Sequence, residues 1–323
     1  MIILFRALQG GNSRKKGFFM FLHLWLEVML PLFIFVLIGY WFQKKFTLHL
    51  KTLTNLLVYL FLPIVVFMKM YESSISASVA SLVLAFLFIQ FIIMTIISIL
   101  IRKWRKLPKS IEGTFINSIA LNNSGNLGLP VNALVFKNDP FALSIGVFIV
   151  LFQNIMTFTV GVYNAEASVN MKDAVLKIVK LPIIYFLIAG FVLQTGDVTL
   201  PNTVIDILDP ISVAFAPFAL LTLGAQLADT GFKIEWKNLA YSNVLRLVGG
   251  PLIAYLLIIL FQFDGVTAQA LFISSAYPSS RNSALLSING PHSDFATQTV
   301  LSSTIISAIS LPIVIQLSML LFH

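Results

Sequence analysis

Ten long apolar segments, separated by short polar connections, make up most of the chain. A helix of about 20 apolar residues is long enough to cross a bilayer. Only 11% of the 323 residues are charged, against about 25% in a typical soluble domain. The sequence therefore predicts an all-α polytopic membrane protein with ten transmembrane helices, at residues 24–42, 52–70, 79–101, 111–136, 142–163, 178–194, 209–228, 239–261, 267–288 and 295–321.

Positive charge is concentrated on one side of these segments. The connections after the odd-numbered segments, with their immediate flanks, hold thirteen Lys and Arg residues, and the opposite side with the N-terminal tail holds six. The positive-inside rule then places both termini on the non-cytoplasmic side of a cell membrane. The net charge of +8 therefore indicates a basic cytoplasmic rim, and we expect no nucleic-acid partner. The chain has no cysteine, which excludes disulfides and thiolate metal sites.

Ten segments divide into two groups of five, and an odd number per group forces the second group to be inverted in the membrane. We predict a first repeat at residues 24–164, a cytoplasmic linker at 165–177 and a second repeat at 178–323. Residues 1–23 form an N-terminal tail, and we interpret residues 1–19 as an extension before a natural start at Met20. The stretch LPLFIFVLIGY at 30–40 parallels LPIIYFLIAGF at 181–191, and Pro63 parallels Pro217.

The fourth segment of each repeat is interrupted by helix-weakening residues. They are LNNSGNLGLPV at 121–131 and SSAYPSSRNSALLSING at 274–290. Unpaired backbone groups in hydrocarbon are so costly that such breaks persist only inside protein or beside a wet cavity. Broken helices 4 and 9 would cross near mid-depth and point helix N-termini at a common site, which favours an anion. Close helix packing is the alternative for the glycines alone. The candidate binding residues are Asn122, Asn123, Ser124, Asn126, Pro130, Pro278, Ser279, Ser280, Arg281 and Asn282.

Two arginines lie within apolar segments, where a cation usually faces a partner or a cavity. Arg281 can bind a substrate carboxylate through two nitrogens or neutralise an internal acid such as Glu27, and we favour the substrate. We interpret Arg246 as structural or interfacial, with a long stem that reaches the cytoplasmic face.

Four stretches carry a resemblance to a known family: NNSGNLGLP, AYPSSRN followed by HSDFATQTVLSSTIISAISLPI, APFALLTLGAQLA and LRLVGGP. Through them residues 24 to 321 resemble the auxin efflux carrier family, whose bacterial members include malate permeases. The resemblance implies ten helices in two inverted five-helix repeats, with a transport domain that moves like an elevator against a scaffold. It also implies small organic anions as substrates.

The resemblance carries over to single residues with some departures. Asn123 falls on an asparagine of the plant carriers that follows the proline of their broken fourth helix, and Pro278 falls on the second such proline. This chain has Asn122 where the plant carriers have that first proline, lacks their long central loop, and has Arg281 where we know no family arginine. Malate or a related carboxylate is therefore a better expectation than auxin.

The expected activity is secondary transport, because the chain contains no GxxxxGK[ST] nucleotide-binding motif. We predict efflux by uniport or exchange, with a sodium- or proton-coupled symporter of the bile-acid-carrier type, or an ion channel, as alternatives. A serine hydrolase using Ser124 would need a neighbouring base, and no histidine lies deep in a segment. We therefore predict no enzymatic activity, cofactor or metal. The partners are the substrate and the bilayer, and a homodimer is left open.

Overall fold

The computed structural model describes residues 13–73, 75–165, 179–228, 236–280 and 293–322. Apart from one isolated β-bridge, the regular secondary structure of this part is helical. Its helices are α1 (Ser13–Leu24, Trp25–Met29 and Leu30–Phe46), α2 (Leu50–Leu56, Leu57–Phe61 and Leu62–Tyr71), α3 (Ala77–Arg105), α4 (Lys109–Ala120), α5 (Ser124–Gly128 and Leu129–Val135), α6 (Pro140–Met156, Thr157–Gly161 and Val162–Ala165), α7 (Pro182–Thr195), α8 (Asn202–Ala228), α9 (Trp236–Val244, Leu245–Gly249 and Gly250–Phe261), α10 (Gly265–Ser275) and α11 (Ser293–Leu321).

Seven helices in the described residues are long and apolar enough to cross a membrane, namely α1, α2, α3, α6, α8, α9 and α11. They correspond to predicted segments 1, 2, 3, 5, 7, 8 and 10, and the shorter α7 corresponds to segment 6. The predicted start of the seventh segment at Asp209 is wrong, because α8 begins at Asn202. Its first seven residues include the exposed Asp206, but Ile205 and Leu208 among them pack against a cluster of α2, so the apolar part of the helix starts before Asp209.

Five of the described helices contain a π-helical turn, in which the backbone hydrogen bond spans one residue more than in an α-helix. A proline donates no backbone hydrogen bond and its ring crowds the carbonyl one turn earlier. A widened turn accommodates both effects without leaving backbone groups unpaired in the membrane. Four of the five turns end two residues before a proline, which is Pro31, Pro63, Pro130 or Pro251.

Glycines bring several pairs of helices into backbone contact, and two of these pairs join the predicted first repeat to the predicted second repeat. A Cβ added at Gly39 of α1 would lie 2.0 Å from the carbonyl oxygen of Leu221 in α8, and one at Gly224 would lie 1.9 Å from that of Val36. In the same way, a Cβ at Gly190 of α7 would lie 2.7 Å from a carbonyl oxygen of α2. Helix α1 therefore packs tightly on α8, and α7 on α2.

Candidate functional site

The predicted fourth segment is interrupted between α4 and α5. Leu121 adopts an extended conformation after Ala120, with φ −106° and ψ 127°. Asn123 then precedes the first turn of α5, and its carbonyl oxygen accepts a hydrogen bond from the Gly128 N–H at 3.0 Å. The chain thus leaves the helix for three residues and re-enters it with the widened turn that precedes Pro130.

The second interruption meets the first. Helix α10 ends at Ser275, and the backbone that follows pairs antiparallel with residues 121–123 through an isolated bridge between Asn122 and Ser279. The Asn123 N–H donates to the Pro278 carbonyl at 2.8 Å, and the Ser280 N–H donates to the Leu121 carbonyl at 3.0 Å. We call residues 121–123 and 278–280 the crossover. The two interruptions predicted from the sequence therefore contact each other directly.

A small cavity of about 40 Å³ lies beside the crossover. Its walls come from α2, the start of α7, the crossover, α5 and α6. This volume holds about one water molecule, for which the liquid provides roughly 30 Å³, and is too small for an organic acid. The polar residues of the lining are Thr54, Asn122, Asn123, Ser124, Asn126, Gln153, Asn154, Thr157 and Ser280.

Two buried amide atoms in the lining have no hydrogen-bond partner among the described residues: Asn122 Oδ1 and Asn123 Nδ2. The opposite end of the Asn122 amide is held, because its Nδ2 donates to the Ser274 carbonyl at 3.1 Å. Buried polar atoms are almost always paired, so each exception calls for an explanation. Both residues line the same cavity, so one acceptor and one donor without a partner among the described residues lie at its wall.

The start of α5 supplies the electrostatic character of the cavity. The first N–H groups of a helix have no partner within it, and they give this end a partial positive charge. Ser124, Gly125 and Asn126 from this turn line the cavity. Among the described residues, no charged side chain lines it. The helix end is therefore the clearest source of positive potential, and it favours an anion.

The structure distributes the predicted residues over several places. Asn122, Asn123, Ser124, Asn126 and Ser280 line the cavity, as stated above. Arg281 and Asn282 lie outside the described residues.

Three other predicted residues are described but do not line the cavity. The Ser279 hydroxyl donates to the Ser118 carbonyl at 2.6 Å, which turns it away from the cavity, and Pro278 contributes its carbonyl to the crossover. Pro130 lines a separate pocket of about 460 Å³ between α1, α5 and α8.

Sequence reasoning missed the polar residues that α2 and α6 bring to the cavity. Gln153 Oε1 accepts a hydrogen bond from the Asn122 backbone N–H at 3.2 Å and so fixes the crossover against α6. Thr54 accepts one from Gln226 of α8 at 3.1 Å. A signal existed for α6, since Gln153 and Asn154 are adjacent polar residues in the middle of an apolar segment. Nothing in the sequence distinguishes Thr54.

The structure corrects part of the interpretation of Arg246 that the sequence suggested. The interfacial alternative is wrong, because its side chain is buried and its Nη1 donates to the Ile119 carbonyl of α4 at 2.8 Å. Its Nη2 donates to the Ser275 carbonyl of α10. The guanidinium finds its partners at helix ends, so the stem does not need to reach the membrane surface.

A pair of glycine variants in α5 tests how this helix packs against Tyr277, the residue that precedes the crossover in the sequence. A Cβ at Gly128 would lie 2.5 Å from the ring of Tyr277, whereas a Cβ at Gly125 would have no atom within 4 Å. Gly128→Ala should therefore cost about 1–3 kcal/mol of stability through overpacking and lower the melting temperature in detergent. Gly125→Ala is the matched control and should melt near the wild-type temperature. Equal melting of the two variants would show that Tyr277 does not pack as described.

Comparison with known families identifies the chain. A family model described as membrane transport protein matches residues 24–175 and 167–315. The chain belongs to this family. The predicted membership of the auxin efflux carriers is thereby confirmed, and this membrane transport protein is a multi-pass membrane protein.

Two archaeal proteins are similar to this membrane transport protein along most of their length. An uncharacterized transporter of Methanocaldococcus jannaschii is 26% identical over 275 residues, which cover 81% of this chain and 88% of the relative. An uncharacterized transporter of Methanothermobacter thermautotrophicus is 25% identical over 298 residues, which cover 89% of this chain and 96% of the relative.

Proposed function

We propose that this protein is a secondary carrier that exports small organic anions, such as malate or related carboxylates, by uniport or exchange. Its membership of a transport family supports the general activity. The substrate class rests on the cavity beside the crossover. The observation that supports it most directly is that Asn122 Oδ1 and Asn123 Nδ2, at the N-terminal end of α5, are buried and have no hydrogen-bond partner within the described part of the chain.

The chemistry of these groups fits a hydroxy acid. A carboxylate accepts hydrogen bonds from Asn123 Nδ2 and from the free N–H groups at the start of α5, where the helix dipole favours negative charge. A hydroxyl on the substrate donates to Asn122 Oδ1. Malate carries both groups, and a purely hydrophobic anion would leave the Asn122 oxygen unpaired. Arg281 follows the crossover directly in the sequence, and we assign it to a second carboxylate.

The proposed architecture is two inverted repeats of five helices, with cytoplasmic odd-numbered connections. The glycine contacts support it. Gly39 and Gly190 are equivalent in the two parallel stretches, and each packs on the fourth residue after Pro217 or Pro63, respectively. The pair α1–α8 thus has a counterpart in the pair α7–α2. This exchange of partners is what a two-fold axis between inverted repeats produces.

The proposed movement is a displacement of one group of helices along another. We call α1, α2, α7 and α8 the scaffold group, since glycine contacts join α1 to α8 and α2 to α7 across the two predicted repeats. The mobile group contains the crossover with α3–α6 and α9–α11. The 40 Å³ cavity and the 460 Å³ pocket both lie where these groups face each other. Sliding of the mobile group along this boundary would open the site to each side in turn.

The membrane potential provides a driving force for export. With a negative interior, exit of an anion is favoured by about 2.3 kcal/mol per charge for each 100 mV. An exporter of this kind therefore needs no coupled ion. A carrier that imports anions would need one, and ion dependence separates these alternatives.

Uptake of labelled malate into proteoliposomes tests the proposal. Uptake should saturate, increase when the interior is made positive, and decrease with excess unlabelled dicarboxylate. Strict dependence on sodium or on a proton gradient would instead support a coupled symporter, and unitary currents would support a channel. Absence of movement for every dicarboxylate tried would contradict the substrate assignment.

The role of Arg281 is tested separately by binding. Malate should raise the melting temperature of the purified wild-type protein, and Arg281→Ala should remove most of this shift because the second carboxylate loses its bidentate partner. Arg246→Lys is not a suitable control, since that residue lies next to the crossover. Lys180→Ala, an exposed position on the predicted cytoplasmic side, removes the same charge and should keep the shift.

A further inference from the structure

Arg246 is a buried cation that the proposed transport step does not use. Its side chain is only 2% exposed, in the π-helical turn of α9. No carboxylate among the described residues lies within salt-bridge distance of it. Its hydrogen bonds go instead to the carbonyls of Ile119 and Ser275. Burying a cation in a membrane protein is costly, so these two carbonyls must supply much of the compensation.

The two carbonyls belong to the C-terminal ends of α4 and α10. Each helix end carries roughly half a negative charge from its free carbonyls, and both helices end at the crossover. Together they place about one negative charge beside the cavity. The guanidinium of Arg246 is a charge of the same size and opposite sign, and it bonds both ends at once.

A single side chain, that of Asn122, connects these helix ends to the cavity. Asn122 Nδ2 donates to the Ser274 carbonyl, and Asn122 is one of the residues that line the cavity. Arg246 bonds the next carbonyl of α10, that of Ser275. Neighbouring carbonyls of one helix end thus connect Arg246 to Asn122, which lines the cavity, whereas Arg246 itself does not line it.

We propose that Arg246 is a positioning residue that makes the crossover suitable for an anion. It neutralises the ends of α4 and α10, which would otherwise repel a negative solute, and it holds them together behind the site. This inference rests on the proposed transport of organic anions. It gives a physical reason why the site would prefer a negatively charged solute.

The local packing of α9 supports a fixed position for the guanidinium. A Cβ at Gly250, one turn after Arg246, would lie 2.6 Å from the Ser275 carbonyl oxygen and 3.0 Å from Arg246 Nη2. A Cβ at the neighbouring Gly249 would meet its nearest atom, Leu245 Cδ2, at 3.9 Å. Only glycine at position 250 therefore leaves the space that the guanidinium and the end of α10 share.

Charge removal provides the first test. Arg246→Met should raise the apparent KM for malate uptake by roughly 10- to 30-fold, the range expected when a helix-end charge in a buried site is lost. The maximal rate should change less. The inhibition of uptake by the neutral diamide of malate should be nearly unchanged, because an uncharged competitor does not sense the helix ends. Arg246→Lys keeps the charge and should recover a large part of the malate affinity.

The outcomes separate this inference from the proposed function. Equal losses for malate and for the diamide, without rescue by lysine, would show that Arg246 is only structural and would overturn the inference alone. Wild-type protein that transports a neutral solute and no anion would overturn both. If Arg246→Met does not fold, the pair Gly250→Ala and Gly249→Ala replaces it. A higher malate KM in the first variant only, with an unchanged diamide inhibition, supports the role of Arg246, and equal malate KM values in the two variants overturn it.

Discussion

Asn123→Asp should reduce malate transport by more than about 100-fold, since a lost hydrogen bond to a charged group alone corresponds to roughly 10- to 150-fold. The change replaces the amide that carries Nδ2, a donor without a partner among the residues that the structure describes, by a carboxylate. A substrate anion then meets repulsion where it previously found a donor. The crossover itself should persist, because the Asn123 bond to Pro278 uses the backbone N–H.

The controls separate donor loss from added charge. Asn123→Ala removes the donor without adding a charge and should reduce malate uptake by about tenfold or more. Asn202→Asp makes the same chemical change at an exposed position at the start of α8 and should leave uptake unchanged. Wild-type rates in Asn123→Asp, measured in proteoliposomes with matched protein content, would remove Asn123 from the site.

Gly224→Ala and Gly39→Ala should each destabilise the protein by about 3 kcal/mol or more, the upper part of the range for overpacking. The added methyl groups would lie 1.9 Å and 2.0 Å from carbonyl oxygens of the facing helix. Backbone atoms cannot rotate away as a side chain does, so α1 and α8 would have to separate. We expect a large decrease in melting temperature in detergent, or loss of folded protein on expression.

Alanine variants of two further glycines provide melting temperatures with which those of Gly224→Ala and Gly39→Ala can be compared. Gly190→Ala should have a smaller effect of the same kind, since its Cβ would lie 2.7 Å from the Phe67 carbonyl oxygen. Gly249→Ala makes no close contact and should melt near the wild-type temperature. A melting temperature of Gly224→Ala equal to that of Gly249→Ala is incompatible with the described contact between α1 and α8.

Local sequence was sufficient for the features that depend on local chemistry. Hydropathy located the seven long helices because the bilayer fixes the length of an apolar helix. Asparagine, glycine and proline located the interruption between α4 and α5 because they weaken a helix wherever they occur. The extent of α8 was not predictable in this way, because Asp206 and Asp209 interrupt the apolar run, whereas Ile205 and Leu208 are held by contacts with distant residues of α2.

Features that depend on distant contacts were harder to predict. The sequence does not show that Arg246 meets the ends of two helices more than 25 positions away on either side. It also does not show which neighbour in a polar run faces the cavity. In extended backbone, successive side chains point to opposite sides, so Ser280 lines the cavity whereas Ser279 bonds Ser118. Only the register of the bridge decides between them.

The crossover is fastened by main-chain atoms, and this has an evolutionary consequence. The hydrogen bonds between Asn123 and Pro278 and between Ser280 and Leu121 involve only N–H and carbonyl groups. Mutations that exchange the neighbouring side chains therefore leave the skeleton of the crossing intact. Descendants of one ancestral gene can diverge in the solutes they recognise while they inherit the same framework.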